Sequence, residues 1–155
     1  EGKAMARSYG IQNTAAIASA SFPQLCIFMA TAAGVRAKIY EFLISSSATP
    51  ADNASRFSID RQTTAAPTGG SAPTIAPLEF ADPAALVSAY QAATGGCTMS
   101  TVLMLVAVNL RATFRWVAAP TKEFVIPNTQ YAGMGIRSAA QTGAYNVDTS
   151  LYWEE

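Results

Sequence analysis

The end of the chain alternates strictly, with Tyr145, Val147, Thr149, Leu151 and Trp153 on one side and Asn146, Asp148, Ser150 and Tyr152 on the other. A period of two sends successive side chains to opposite faces of an extended strand, so this segment can pack one face and wet the other only as β structure. Phe57 and Ile59 alternate in the same way with Arg56, Ser58 and Asp60, and Phe114 and Trp116 with Thr113 and Arg115. Between residues 35 and 44 two phases compete. The phase with Tyr40, Phe42 and Ile44 inward is favoured over the one with Ile39, Glu41 and Leu43, because an unpaired buried carboxylate is costly.

Residues 101–110 (TVLMLVAVNL) are apolar on both faces. Their β-branched content and the preceding Gly95-Gly96 predict a central strand covered on both sides, one cover being a neighbouring subunit. Turn chemistry recurs at short intervals, in 45–53 (SSSATPADN), 67–73 (PTGGSAP), Gly95-Gly96, Ala119-Pro120 and Pro127-Asn128. Gly133-Met134-Gly135 reads as one more tight turn. The two TGG copies, at Thr68 and Thr94, are similar loop chemistry and not an architectural repeat. Helical character is confined to 82–90 (DPAALVSAY), where Asp82 can cap, Pro83 suits a first turn, and Leu86 and Tyr90 lie four apart. The expected fold is all-β, an antiparallel β-sandwich or jelly roll with one short helix.

Its 155 residues suit one domain, large enough to bury ~70% of the surface of the unfolded chain. Residues 35–155 form the expected sandwich. Residues 1–34 are set apart by their Ala, Ser and Thr content. Two readings stay open for them: the first strands of the sandwich, or an arm that orders on a partner through Phe22 and Phe28. The uncharged run 11–35 holds too many polar residues, and too short an apolar core at 25–30, for the ~20 residues a membrane-spanning helix needs.

Only 13% of residues are charged, against ~25% in an average protein, and ten basic residues cancel ten acidic ones. A sparsely repelling surface suits a member of an assembly. No basic stripe exists to neutralise phosphates, so neither nucleic acid nor membrane is an expected partner.

Chemistry is hard to find. The chain has no histidine, which removes the usual nucleophile–base arrangements and histidine metal sites. Cys26 and Cys97 stand outside any CxxC; they read as two free thiols, with pairing left open. The carboxylates Glu41, Asp52, Asp60, Glu79, Asp82, Glu123 and Asp148 are scattered and read as solvated charges and turn caps. No catalytic, cofactor or metal residue is therefore assigned. The most suggestive cluster is Arg111, Arg115 and Trp116, readable as a cation–π patch at an interface or as a core tryptophan with arginines on the wet face. With Phe22 and Phe28 these make up the expected partner surface.

Two segments, 36–64 (RAKIYEFLISSSATPADNASRFSIDRQTT) and 111–139 (RATFRWVAAPTKEFVIPNTQYAGMGIRSA), resemble a group of small tailed-phage virion proteins, the jelly-roll cement or decoration proteins, including those of freshwater cyanophages. The resemblance runs from Val35 to the end. It implies a homotrimer on the outside of the virion, seated where capsomers of an HK97-fold shell meet. There it would clamp major capsid proteins against packaged DNA, without catalytic residues. Other readings are a tail, collar or fibre component, or a carbohydrate-binding sandwich using Trp116, Tyr131, Tyr145, Tyr152 and Trp153.

Overall fold

A computed structural model describes residues 6–16, 23–32, 34–48, 52–138 and 145–155. Its elements are all strands: β1 (Ser8–Ala16), β2 (Leu25–Phe28), β3 (Ala37–Ala48), β4 (Ala54–Thr63), β5 (Ala76–Pro77), β6 (Ser88–Gln91), β7 (Thr98–Asn109), β8 (Phe114–Val117), β9 (Phe124–Ile126), β10 (Gly133–Ser138) and β11 (Tyr145–Glu154). They form two antiparallel sheets. One runs β5-β1-β11-β3-β8, with β9 also on β3; the other runs β6-β2-β10-β4-β7.

The pairings are nested. β1 joins β11, β2 joins β10, β3 joins β8 and β9, and β4 joins β7. A long hairpin rolled round a barrel gives this pattern, with successive strands changing sheet, so the sandwich is a jelly roll. The first strands belong to it: β1 and β2 each enter one sheet.

Between the sheets, Tyr9, Ile11, Leu25, Ile27, Phe42, Ile44, Phe57, Ile59, Ile136, Val147, Leu151 and Trp153 form the core. The alternation of β11 holds, with Val147, Thr149, Leu151 and Trp153 buried. In β3 both competing phases are real. Trp153 faces Ile39 and Tyr152 faces Glu41, so Tyr40 is an extra residue in a β-bulge. The bulge switches the inward set from Ala37 and Ile39 to Phe42 and Ile44, and keeps Glu41 out of the core.

Four expectations need correction. Residues 82–90 are not helical; a turn leads into β6 at Ser88. The backbone N–H groups of Leu86 and Val87 donate instead to the Glu155 carboxylate, at 2.8 and 3.0 Å. Gly133 and Gly135 make no turn and lie in β10, at the centre of its sheet. A Cβ on Gly133 would stand 2.4 Å from the Ile27 carbonyl oxygen, so glycine there allows close approach of β2. β7 is no central strand; it is the outer edge beyond β4. Ser58 and Asp60 are buried where the alternation of β4 would make them wet.

Candidate functional site

The feature that stands out is where apolar side chains remain uncovered. Two bulges interrupt the β4–β7 ladder, between Ile59 and Asp60 and between Arg61 and Gln62. The first leaves Leu103 as the extra residue, so Val102 opposite Asp60 and Leu105 beside Met104 both fall on the outer face of the sheet. Leu105 is 61% exposed, and Val102 is exposed beside it. Met104 and Val106 turn inward against the core. Among the described residues β7 pairs only with β4, so its far edge presents a row of backbone donors and acceptors. No residue of β7 is charged and none is proline, so its two bulges are what stands on this strand against further strand pairing. A short link brings the chain to β8 of the other sheet, where exposed Val117 stands opposite Glu41 of β3.

The opposite side of the sandwich has its own apolar ridge. The link from β5 to β6 exposes Leu78, Phe80 and Leu86, and Phe80 is wholly in solvent. This ridge is held, not loose. Glu155 takes the two amides described above and also accepts from Trp153 Nε1 at 3.2 Å. Its backbone exchanges hydrogen bonds with Arg7. Glu155→Ala should leave the fold intact but raise amide exchange at Leu86 and Val87 by about tenfold or more, read by hydrogen–deuterium exchange. Beside the ridge, Gly10, Ile11, Gln12, Thr74, Ala76, Leu78 and Tyr152 line an open cleft of about 540 Å³. The Tyr152 ring lies directly over Gly10, 2.8 Å from where a Cβ would stand. Tyr152 is the one aromatic lining this cleft.

The two sides differ in charge. Exposed Arg56 and Arg61 sit on β4 opposite Ala107 and Thr101 of β7, and exposed Arg111 follows β7. The other ridge carries exposed Glu79 and partly buried Asp82, the latter 3.9 Å from Arg7.

The expected partner residues scatter on this surface. Phe22 lies outside the described residues. Phe28 is only 5% exposed, because β2 is flanked by β10 and β6 and buried on both faces, so it is closed to a partner. Trp116 is half-buried and stacked between Phe42 and Phe124, with ring centroids 5.0 and 4.7 Å away. Arg115 is exposed and donates to Glu41 at 2.6 Å, and Arg111 is exposed. Trp116 thus belongs to an aromatic stack beside β3, with the arginines facing water. Trp153, offered above as a sugar platform, is fully buried. The residues missed by sequence reasoning are Leu78, Phe80 and Leu86, which lie in the segment read as a helix or just before it.

The carboxylates are used structurally. Asp60 is 1% exposed and meets Arg137 Nε at 2.6 Å and the Ser58 hydroxyl at 2.7 Å. Asp52 accepts from Asn109, Asp148 from Ser47, and Glu123 from the Thr121 amide. Among the described residues no three His, Cys, Asp or Glu side chains gather as a metal site would require. Compared with protein-family models, curated proteins and solved structures, the chain matches none.

Proposed function

We propose that this chain is a structural virion protein of a tailed phage, a cement protein that binds its own copies and the outer surface of the capsid. The carrying observation is the pair of apolar surfaces on opposite sides of one rigid sandwich, one basic-flanked around Val102 and Leu105, the other acidic around Phe80. Two different surfaces on one chain favour head-to-tail contacts, and a head-to-tail contact that closes makes a ring. Opposite charge at the two rims would orient the copies. A ring that grips several capsid subunits stabilises the assembled shell over loose subunits by mass action. The resemblance of residues 36–64 and 111–139 to cement proteins supplies the capsid as the wider partner.

Sedimentation of the purified chain should give a trimer. Val102→Lys together with Leu105→Lys should return it to a monomer while changing folding stability by only about 0.5 kcal/mol, since both sites face solvent. Added to heads built from the capsid protein of the same genome, the chain should appear as density on the outside at three-fold positions. Density along a tail, or a monomer indifferent to shells, would overturn the proposal.

A further inference from the structure

The outer face of the five-stranded sheet is partly covered by two glycine loops that lock together. Thr68 N–H donates to the Gly95 carbonyl at 2.8 Å, and Thr94 N–H to the Thr68 carbonyl at 2.9 Å. A Cβ on Gly69 would lie 1.9 Å from Thr94 Oγ1, and one on Gly96 would lie 2.2 Å from the Ala66 carbonyl oxygen. Side chains are thus excluded where the two TGG copies meet. Ala92 N–H ties the second loop down to the Gln24 carbonyl, at 2.9 Å. This loop is the crossover from β6 at one edge of the sheet to β7 at the other, and it carries Cys97 over the strands between.

Cys26 waits beneath it. It lies in β2 opposite Gly135 of β10, and the missing side chain of Gly135 leaves its thiol room. Both cysteines are free thiols, and they stand close enough for each to shift the titration of the other. Cys97 Sγ also donates to Gln62 Oε1 at 3.7 Å. The Gln62 amide is fixed in turn by its own donation to the Ala65 carbonyl at 3.0 Å. A buried thiol of β2 and a half-buried thiol held by an oriented amide of β4 therefore share the outer face of the sheet.

We propose that Cys26 and Cys97 are an oxidisable dithiol, which a small-molecule disulfide closes into an intramolecular bond that fastens the crossover to β2. The two thiols play different parts. The neighbouring Cys26 thiol lowers the Cys97 pKa below that of an ordinary cysteine, whereas burial pushes the Cys26 thiol well up. Partly exposed Cys97 is the attacker. Its thiolate attacks one sulfur of oxidised glutathione and expels one glutathione thiolate. Cys26 then gives up its proton and attacks Cys97 Sγ, expelling the second glutathione. Two protein thiols and one glutathione disulfide become one protein disulfide and two reduced glutathiones. In a reducing cytosol the pair stays open; outside, it closes. The pair stands whether or not the chain binds a capsid.

The test uses the whole chain, reduced, then mixed natively with oxidised glutathione at neutral pH. The product should be lighter by two hydrogens, carry no glutathione, and migrate as a single chain on a non-reducing denaturing gel. Its unfolding midpoint should rise by about 5–15 °C, since the bond closes a long loop, and fall back on reduction. Cys97→Ser should abolish the mass change and the rise. In Cys26→Ala, Cys97 should instead retain a stable glutathione adduct. A wild-type product that keeps glutathione, links two chains, or fails to form without denaturant would overturn the proposal.

Discussion

Arg137→Met should destabilise the protein by about 3 kcal/mol, far more than a surface substitution. Arg137 is itself 26% exposed, which places the cost at the low end for a broken buried pair. The burden falls on its partner. Asp60 is held in the interior, and of its two oxygens only Oδ2 is met, by Arg137 and Ser58. Oδ1 finds no donor among the described residues. Removing the guanidinium leaves a desolvated carboxylate leaning on one hydroxyl. The expected fall in unfolding midpoint is about 6–12 °C for a chain of this size. Asp60→Asn in the same background should recover at least about 1 kcal/mol, because the amide has no charge left to compensate. Urea unfolding of the two singles and the double would measure this. If Arg137→Met cost no more than an ordinary surface change, the pair would be ornamental to stability.

Trp153→Ala should cost about 3–5 kcal/mol and is the variant expected to come nearest to unfolding the chain. Trp153 is fully buried, stacked on Tyr9 at 5.8 Å, and flanked by Tyr9 and Ile39 in register. Alanine would leave a cavity at the point where β1, β11 and β3 meet. It would also take away the indole N–H that donates to Glu155, loosening the residue that holds the Phe80 ridge. Trp153→Phe should retain most of the packing and cost about 1–2 kcal/mol. Thermal unfolding followed by circular dichroism would separate the two. Equal losses would mean that the indole N–H matters more than the volume.

How far the sequence revealed this molecule depended on the reach of each interaction. β11 was readable because one of its faces is wet, and the alternation of polar and apolar residues records that directly. β3 was readable only in part, because the carboxylate of Glu41 argues for Phe42 and Ile44 inward but nothing local announces the bulge at Tyr40 that turns Ile39 inward in place of Tyr40. The segment 82–90 misled because helical spacing is a local signal. What decides its structure is the carboxylate of Glu155, which captures two amides from 69 and 68 residues away. Asp60 looked wet for the same reason, since Arg137 stands 77 residues further on. Residues 101–110 were correctly strand. Their second apolar face, though, speaks of covering and not of position in the sheet, and an edge strand open on one side carries the same letters as a central one. The glycines of β10 were visible, but glycine marks both turns and close approaches, and only the packed neighbour strand tells them apart.

β10 and β11, which follow the other strands of the described residues, occupy the middle of each sheet. Until they emerge, β2 and β4 have no common neighbour, and neither have β1 and β3. A nascent chain stalled near residue 130 would hold two half-sheets with a gap in each, and several sticky margins. The sandwich therefore cannot close before β11 has been made, and chains cut short near residue 130 should be found in aggregates and not as partial domains.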